Sequence, residues 1–143
     1  MEHWTKELER IRACAEAIKW ARAYPSLDAA WADCQRGDWM AWLAGKYSGA
    51  SESPAHKTLV LALCEIARTV LHLVIPGEDR PRVAIETAES WGRGEATIKD
   101  VRAAYAAYAA DAAYAAAYAA ADAARSQSAN IMRKHYPSRP RMP

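Results

Sequence analysis

The chain has no phenylalanine, only six glycines and no long apolar run. Its longest uninterrupted apolar segment, Leu59–Cys64, is followed at once by Glu65, whereas a membrane-spanning helix needs about 20 apolar residues. No segment alternates apolar and polar residues with the period of two that is typical of a half-buried strand. Met1–Arg22 alternates charged residues and has no apolar core, so we expect no signal peptide. These absences predict an all-α, cytoplasmic protein.

Residues that form disulfides or bind metals are also few. The three cysteines, Cys14, Cys34 and Cys64, are widely spaced in helical patterns, which predicts three buried, reduced thiols. The four histidines are isolated from one another, whereas a structural metal site needs His or Cys pairs at ligand spacing. We therefore expect no metal and no cofactor.

Charge is distributed unevenly along the chain. The formal net charge is +2, but residues 1–122 carry −3 and residues 123–143 carry +5. A nucleic-acid-binding domain concentrates positive charge on its folded face, so this pattern makes nucleic acid an unlikely partner. The last seven residues contain three prolines and cannot form a helix. We expect a domain over residues 1–136 and a disordered basic tail over residues 137–143.

The segment with the most biased composition is Ala103–Ala124, in which 16 of 22 residues are alanine. Alanine has the highest helix propensity of any residue, so this segment is predicted to be helical. Most of the larger side chains share one side of that helix, and tyrosine is enriched at the centres of protein interfaces. We name these residues the Tyr/Asp ribbon and expect a partner to bind them; packing inside the domain is the alternative. The ribbon consists of Tyr105, Tyr108, Asp111, Tyr114, Tyr118 and Asp122.

Helix-start and helix-stop residues divide the rest of the chain. Ser26, Asp38 and Ser53 are candidate N-caps, and Thr97–Asp100 has the pattern of a capping box at the start of the long helix. The helix after Ser53 is apolar over much of its circumference, which predicts a central position. The fold class is therefore all-α, a single-domain bundle of about six helices with a long Ala-rich C-terminal helix. The five helices expected before it are Trp4–Tyr24, a short helix after Ser26, Trp39–Leu43, Pro54–Val74 and Arg80–Arg93.

The long helix is predicted to be longer than the diameter of the domain that contains it. No glycine or proline occurs between Glu95 and Tyr136, and an unbroken helix over that range would be roughly 55–60 Å long. A compact domain of this size is under about 40 Å across. Either the helix breaks near Ser126–Ser128, or another chain covers the excess length. We slightly favour the second interpretation, in which the long helix forms a homo-oligomer or contacts a partner.

A second polar cluster follows Gly77. Arg82, Glu86, Glu89 and Arg93 line one face of the fifth helix with opposite charges as neighbours. A paired-carboxylate catalytic site would need one Glu with a raised pKa, but an Arg one turn away lowers it. The spacing favours a salt-bridge ladder, with a partner-facing patch as the second interpretation. The candidate binding residues here are Asp79, Arg80, Arg82, Glu86 and Glu89.

Six tryptophans supply much of the bulk that alanine lacks. Trp39 and Trp42 are three residues apart and could form a stacking platform for bases or sugars. Core packing is the favoured interpretation for both of them, and also for Trp31 and Trp91.

Several blocks together resemble one family. The segments are Trp20–Arg22, Pro25–Trp31, Cys34–Leu43, Gly77–Arg82, Glu86–Trp91, Gly94–Thr97 and Ile131–Pro137. In these segments and in its Ala/Tyr/Asp repeat, the chain resembles the all-helical immunity proteins of bacterial polymorphic-toxin loci, which also occur in actinobacterial phages.

The resemblance implies a non-catalytic helical domain that neutralises a toxin by binding it, so the expected partner is a protein. The alternative is a phage-encoded anti-defence protein that inhibits a bacterial immune effector or sequesters its nucleotide signal. An enzyme on a helical scaffold is the third and least favoured hypothesis.

Overall fold

Helices make up all the regular structure in the computed structural model, which describes residues 2–49, 52–106 and 121–140. The all-α prediction is confirmed for these ranges, which hold eight α-helices where the sequence predicted about six in all. No helix within them is long and apolar enough to cross a membrane. The elements are α1 Lys6–Arg10, α2 Ala15–Ala21, α3 Leu27–Asp33, α4 Gly37–Tyr47, α5 Pro54–Arg68, a 3₁₀ helix Leu71–Leu73, α6 Arg80–Gly92, α7 Ile98–Ala106 and α8 Ala121–His135.

The predicted first helix, Trp4–Tyr24, is wrong, because the chain breaks between α1 and α2. Arg12 adopts a left-handed backbone conformation with φ of 64°. The Arg12 amide donates to the Glu9 carbonyl at 3.0 Å and the Ala13 amide donates to the Leu8 carbonyl at 2.9 Å. This pair of bonds is a Schellman motif, which ends a helix and usually has glycine at the left-handed position.

The predicted helix starts agree with the structure at three places. Ser26 Oγ accepts from the Ala29 amide at 3.2 Å, and Ser53 Oγ accepts from the His56 amide at 3.1 Å. At the start of α7, Asp100 accepts from the Thr97 amide at 2.9 Å while Thr97 Oγ1 accepts from the Asp100 amide at 3.2 Å. These are the reciprocal bonds of a capping box.

Two other predicted boundaries are wrong. α4 begins at Gly37 after Arg36, rather than at Trp39 after an Asp38 cap, and it continues through Gly45. α5 ends at Arg68, not at Val74, because its last amides tighten to bonds three residues back. The Thr69 amide donates to the Ile66 carbonyl at 3.0 Å.

The core is built where α4, α5 and α8 meet. α5 packs against α4, α6 and α8, in agreement with its predicted central position. Met40 on α4 and Ala129 and Met132 on α8 are almost fully buried. The two helices approach closely at Gly37, where a Cβ atom would lie 2.6 Å from the carbonyl carbon of Ser128.

Hydrogen bonds join the end of α8 to α3. The Trp31 indole N–H donates to the Tyr136 carbonyl at 3.0 Å. The Arg133 guanidinium donates to the Trp31 carbonyl at 3.3 Å and also to the Cys34 carbonyl. Arg139, beyond α8, lies 3.1 Å from a carboxylate oxygen of Asp28. The C-terminal basic residues are therefore partly engaged with the N-terminal helices.

The predicted Ala-rich helix, Ala103–Ala124, lies only partly in the described ranges. Its first residues are in α7 and its last are in α8. The other part, with four ribbon residues, lies outside the described residues, as do the side chains of Tyr105 and Asp122. The four are Tyr108, Asp111, Tyr114 and Tyr118.

Candidate functional site

The connection from α5 into α6 presents apolar side chains to solvent. Ile75 is 74% exposed, Val83 is 43% exposed and Leu73 is 39% exposed. Single exposed apolar residues are normal, but a group of them rimmed by charge is typical of an interaction surface. We name this group and the charged residues in the same stretch of chain the corner patch. It consists of Leu73, Ile75, Asp79, Arg80, Arg82, Val83 and Glu86.

Local ion pairs hold the charged side chains of the corner patch. Arg82 lies 2.9 Å from Glu86 and 3.5 Å from Asp79. Arg80 Nε donates to Glu78 at 2.7 Å, and this side-chain bond lowers the pKa of Glu78 to about 2. The five bonded groups lie at the surface, where such pairs contribute little stability. Breaking these ion pairs to bind a charged partner would therefore cost little free energy.

Glu89 does not belong to the predicted salt-bridge ladder. Its carboxylate accepts from Nε and Nη2 of Arg68 on α5, at 2.6 and 2.7 Å, while Arg93 lies 3.4 Å from Glu95. The bidentate bond to Arg68 lowers the pKa of Glu89 and its side chain is only 17% exposed. Glu89 therefore joins α6 to α5. The ladder is confirmed only for Arg82 and Glu86.

A second surface feature is a cleft of about 460 Å³ in the N-terminal part of the chain. We name it the tryptophan cleft, because five of the six tryptophans line it. Its other lining residues come from the same stretch, between Trp4 and Leu43. The lining tryptophans are Trp4, Trp20, Trp31, Trp39 and Trp42.

The structure corrects the prediction that Trp42 is a core residue, whereas Trp39 packs against the core and also lines the cleft. Trp42 is 39% exposed and Trp39 is only partly buried, whereas Trp31 and Trp91 are each 4% exposed and confirm the prediction. The three-residue spacing of Trp39 and Trp42 in α4 was a sequence signal for an aromatic site. The spacing within α4 does not contain the break at Arg12 between α1 and α2, and residues of both of these helices also line the cleft.

The charges around the cleft are only partly paired. Arg36 donates to both carboxylate oxygens of Asp38, at 2.9 and 2.7 Å, and this bond lowers the pKa of Asp38. The Arg36 guanidinium also lies 4.4 Å from the centroid of Trp39. Arg12 lines the cleft as well, is exposed, and makes no ion pair within the described residues.

The three cysteines are free, and contrary to the prediction one of them is not buried. Cys14 is exposed at the start of α2, while Cys34 and Cys64 are buried. Burial raises the pKa of Cys34, and it raises that of Cys64 to about 11. Cys14 is therefore the thiol that a reagent in solution reaches.

The described ranges form a small all-α domain that carries the corner patch and the tryptophan cleft. Residues 49–137 match the family model described as "Imm-5 like putative immunity protein". The chain therefore belongs to this immunity-protein family, as its resemblance implied. No curated protein and no solved structure matches it. The corner patch lies inside the matched residues, whereas the residues that line the tryptophan cleft precede them.

Proposed function

We propose that the protein neutralises a toxin by binding it directly, without catalysis, and that the corner patch is the main contact. Membership of the immunity-protein family supports the toxin as partner. The observation that carries the choice of surface is Ile75, a large aliphatic side chain left 74% exposed within the matched residues. Burying such a side chain against a partner contributes about 2 kcal/mol.

The charges of the corner patch support a protein partner of mixed charge. Asp79, Arg80, Arg82 and Glu86 are close in sequence to the exposed aliphatic residues, and protein interfaces combine an apolar centre with a polar rim. Neither sign dominates, so specificity would come from the pattern of charges and not from a strong field. Catalysis has less support, because a bonded Arg holds the pKa of Glu89 down and Glu86 is exposed beside Arg82.

The Tyr/Asp ribbon is the second part of the proposal and depends on sequence alone. Its four tyrosines and two aspartates would add contact area beside the corner patch or join two copies of the chain. We further propose one cytoplasmic binding domain over residues 1–136, with residues 137–143 as a basic tail.

Growth rescue tests the proposal. The protein is co-expressed with the toxin encoded beside its gene, and affinity for that purified toxin is measured by titration. We expect Ile75→Asp to weaken binding at least tenfold and to abolish rescue, because a carboxylate replaces the apolar anchor. The thermal unfolding midpoint should not change, since the side chain is exposed. Ala15→Asp, at an exposed position in α2, is the matched control and should rescue fully.

The stoichiometry of neutralisation separates binding from catalysis. A binding inhibitor needs about one equivalent per toxin, while an enzyme would act at far lower ratios. Full rescue by the double variant Ile75→Asp, Arg82→Glu would show that the corner patch is not the interface.

A further inference from the structure

The tryptophan cleft has the size and lining of a small-molecule site. Its volume of about 460 Å³ falls in the range of roughly 300–1,000 Å³ that is usual for such sites. A flat protein–protein contact does not require a concavity of this depth. The cleft also lies outside the family-matched residues and apart in sequence from the corner patch, so the proposed toxin binding does not account for it.

The walls of the cleft suit a planar ring. Trp20 and Trp39 lie with ring centroids 5.8 Å apart and planes tilted by 55°. Trp4 and Trp31 already use their indole N–H groups in bonds to the Tyr24 and Tyr136 carbonyls. Within the described residues, the indole N–H groups of Trp20, Trp39 and Trp42 make no such bond. These walls can therefore pack against a ring and donate to an acceptor on its edge.

Arg12 is the single cation among the described residues that line the cleft, and it favours an anionic ligand. Asp38 is neutralised by its two bonds from Arg36, and Arg36 also lies 3.9 Å from Glu16. Arg12 is the remaining cation among the lining residues, and it is unpaired within the described part of the chain. A guanidinium at the edge of an apolar cleft can hold a carboxylate through two parallel bonds.

The backbone at Arg12 is a second, independent observation. Glycine is the usual residue at the left-handed position of a Schellman motif, because a Cβ is strained there. Here the position holds an arginine whose side chain lines the cleft. Strained residues of this kind concentrate at binding sites, where the strain holds a side chain in a useful direction.

From the cleft, its indoles and the unpaired cation, we infer that the tryptophan cleft binds a small planar aromatic molecule that carries one carboxylate. The ring packs against the indole walls of the cleft, and the carboxylate pairs with Arg12. A nucleoside monophosphate fits less well, because its phosphate carries close to two charges and Arg12 offers one.

Calorimetric titration with 2-naphthoate tests the inference. We expect one molecule to bind per chain. The neutral 2-naphthalenemethanol should bind at least tenfold more weakly, because it lacks the charge, and AMP should bind more weakly than 2-naphthoate. Absence of 2-naphthoate binding, or tighter binding of AMP, would overturn the proposal.

Arg12→Gly separates the role of the side chain from that of the fold. Glycine suits the left-handed backbone, so the thermal midpoint should stay equal or rise while 2-naphthoate affinity falls at least tenfold. Glu52→Gly is the matched control, since Glu52 also has a positive φ, of 69°, but does not line the cleft. It should bind 2-naphthoate normally. Unchanged affinity in Arg12→Gly would also overturn the proposal, and the toxin-binding variant Ile75→Asp should bind 2-naphthoate like the original chain.

Discussion

At the scale of single residues, the pair of Glu89 and Arg68 shows how one carboxylate can join two helices and stabilise the fold. Arg68 bonds both oxygens of Glu89, and the Glu89 side chain is only 17% exposed. Because Arg68 is 41% exposed, water screens the pair and limits its contribution to about 1 kcal/mol.

The pKa of Glu89 predicts how this contribution depends on pH. The bond to Arg68 lowers that pKa from its ordinary value of 4.5, so the folded state favours the ionised carboxylate. The stabilisation is fully present above pH 4.5 and is lost as the pH falls through the lower, folded-state pKa. Glu89→Gln should therefore cost about 1 kcal/mol at pH 7 and almost nothing in strong acid. Urea unfolding at both pH values measures this.

Glu95→Gln is the control for that experiment, because Glu95 is 62% exposed and lies 3.4 Å from Arg93. It should leave unfolding nearly unchanged at either pH. A penalty in Glu89→Gln that is the same at both pH values would contradict the assignment of the ion pair.

The sequence predicted that Glu89 is ionised but not the residue that bonds it. Spacing along one helix pairs Glu89 with an arginine a turn away, and that logic holds for Arg82 and Glu86. Arg68 is 21 residues upstream and meets Glu89 only because α5 packs against α6. No local pattern contains that information.

At the scale of elements, Gly37 sets the distance between α4 and α8. An added Cβ would lie 2.6 Å from the Ser128 carbonyl carbon and 2.7 Å from the Ala129 amide nitrogen. Backbone atoms cannot move aside as a flexible side chain can, so the two helices would have to separate.

We therefore expect Gly37→Ala to destabilise the protein by about 2 kcal/mol. Gly45→Ala in the same helix is the control: its nearest neighbour is Leu59 Cδ2 at 3.7 Å, and alanine gains up to about 1 kcal/mol of helix propensity. Chemical denaturation of both variants measures the difference. Equal stability of the two variants would refute the close approach of α4 to α8.

Helix starts could be predicted better than helix ends and breaks. Ser26, Ser53 and Thr97 cap their helices through bonds within three residues, so the local sequence contains the signal. The break at Arg12 has no such signal, because arginine is a good helix former. Residues on both sides of that break line the tryptophan cleft, and the spacing of Trp39 and Trp42 was its one sequence signal.

At the scale of the whole molecule, the N-terminal helices and the family-matched residues share one core. Met40 and Leu43 on α4 pack with Ala129 and Met132 on α8, and Trp31 bonds the Tyr136 carbonyl. Local sequence patterns do not contain this contact, because Trp31 and Tyr136 are 105 residues apart.

Deletion of residues 1–48 should therefore prevent cooperative folding of the matched residues. The deletion would expose Ala129 and Met132, which are now fully buried, and would remove the Trp31 and Cys34 carbonyls that accept from Arg133. Scanning calorimetry of the truncated chain should show no heat-absorption peak. A peak close to that of the full chain would show that residues 49–143 form a domain on their own.

The clustering of five tryptophans in one cleft also determines which part of the protein each spectroscopic signal monitors. Indole fluorescence from this protein originates mainly in its first third, whereas far-ultraviolet circular dichroism sums every helix. Superimposable melting curves from the two signals would mark a single cooperative transition. An earlier change in emission would mean that the cleft loosens while the remaining helices stay intact.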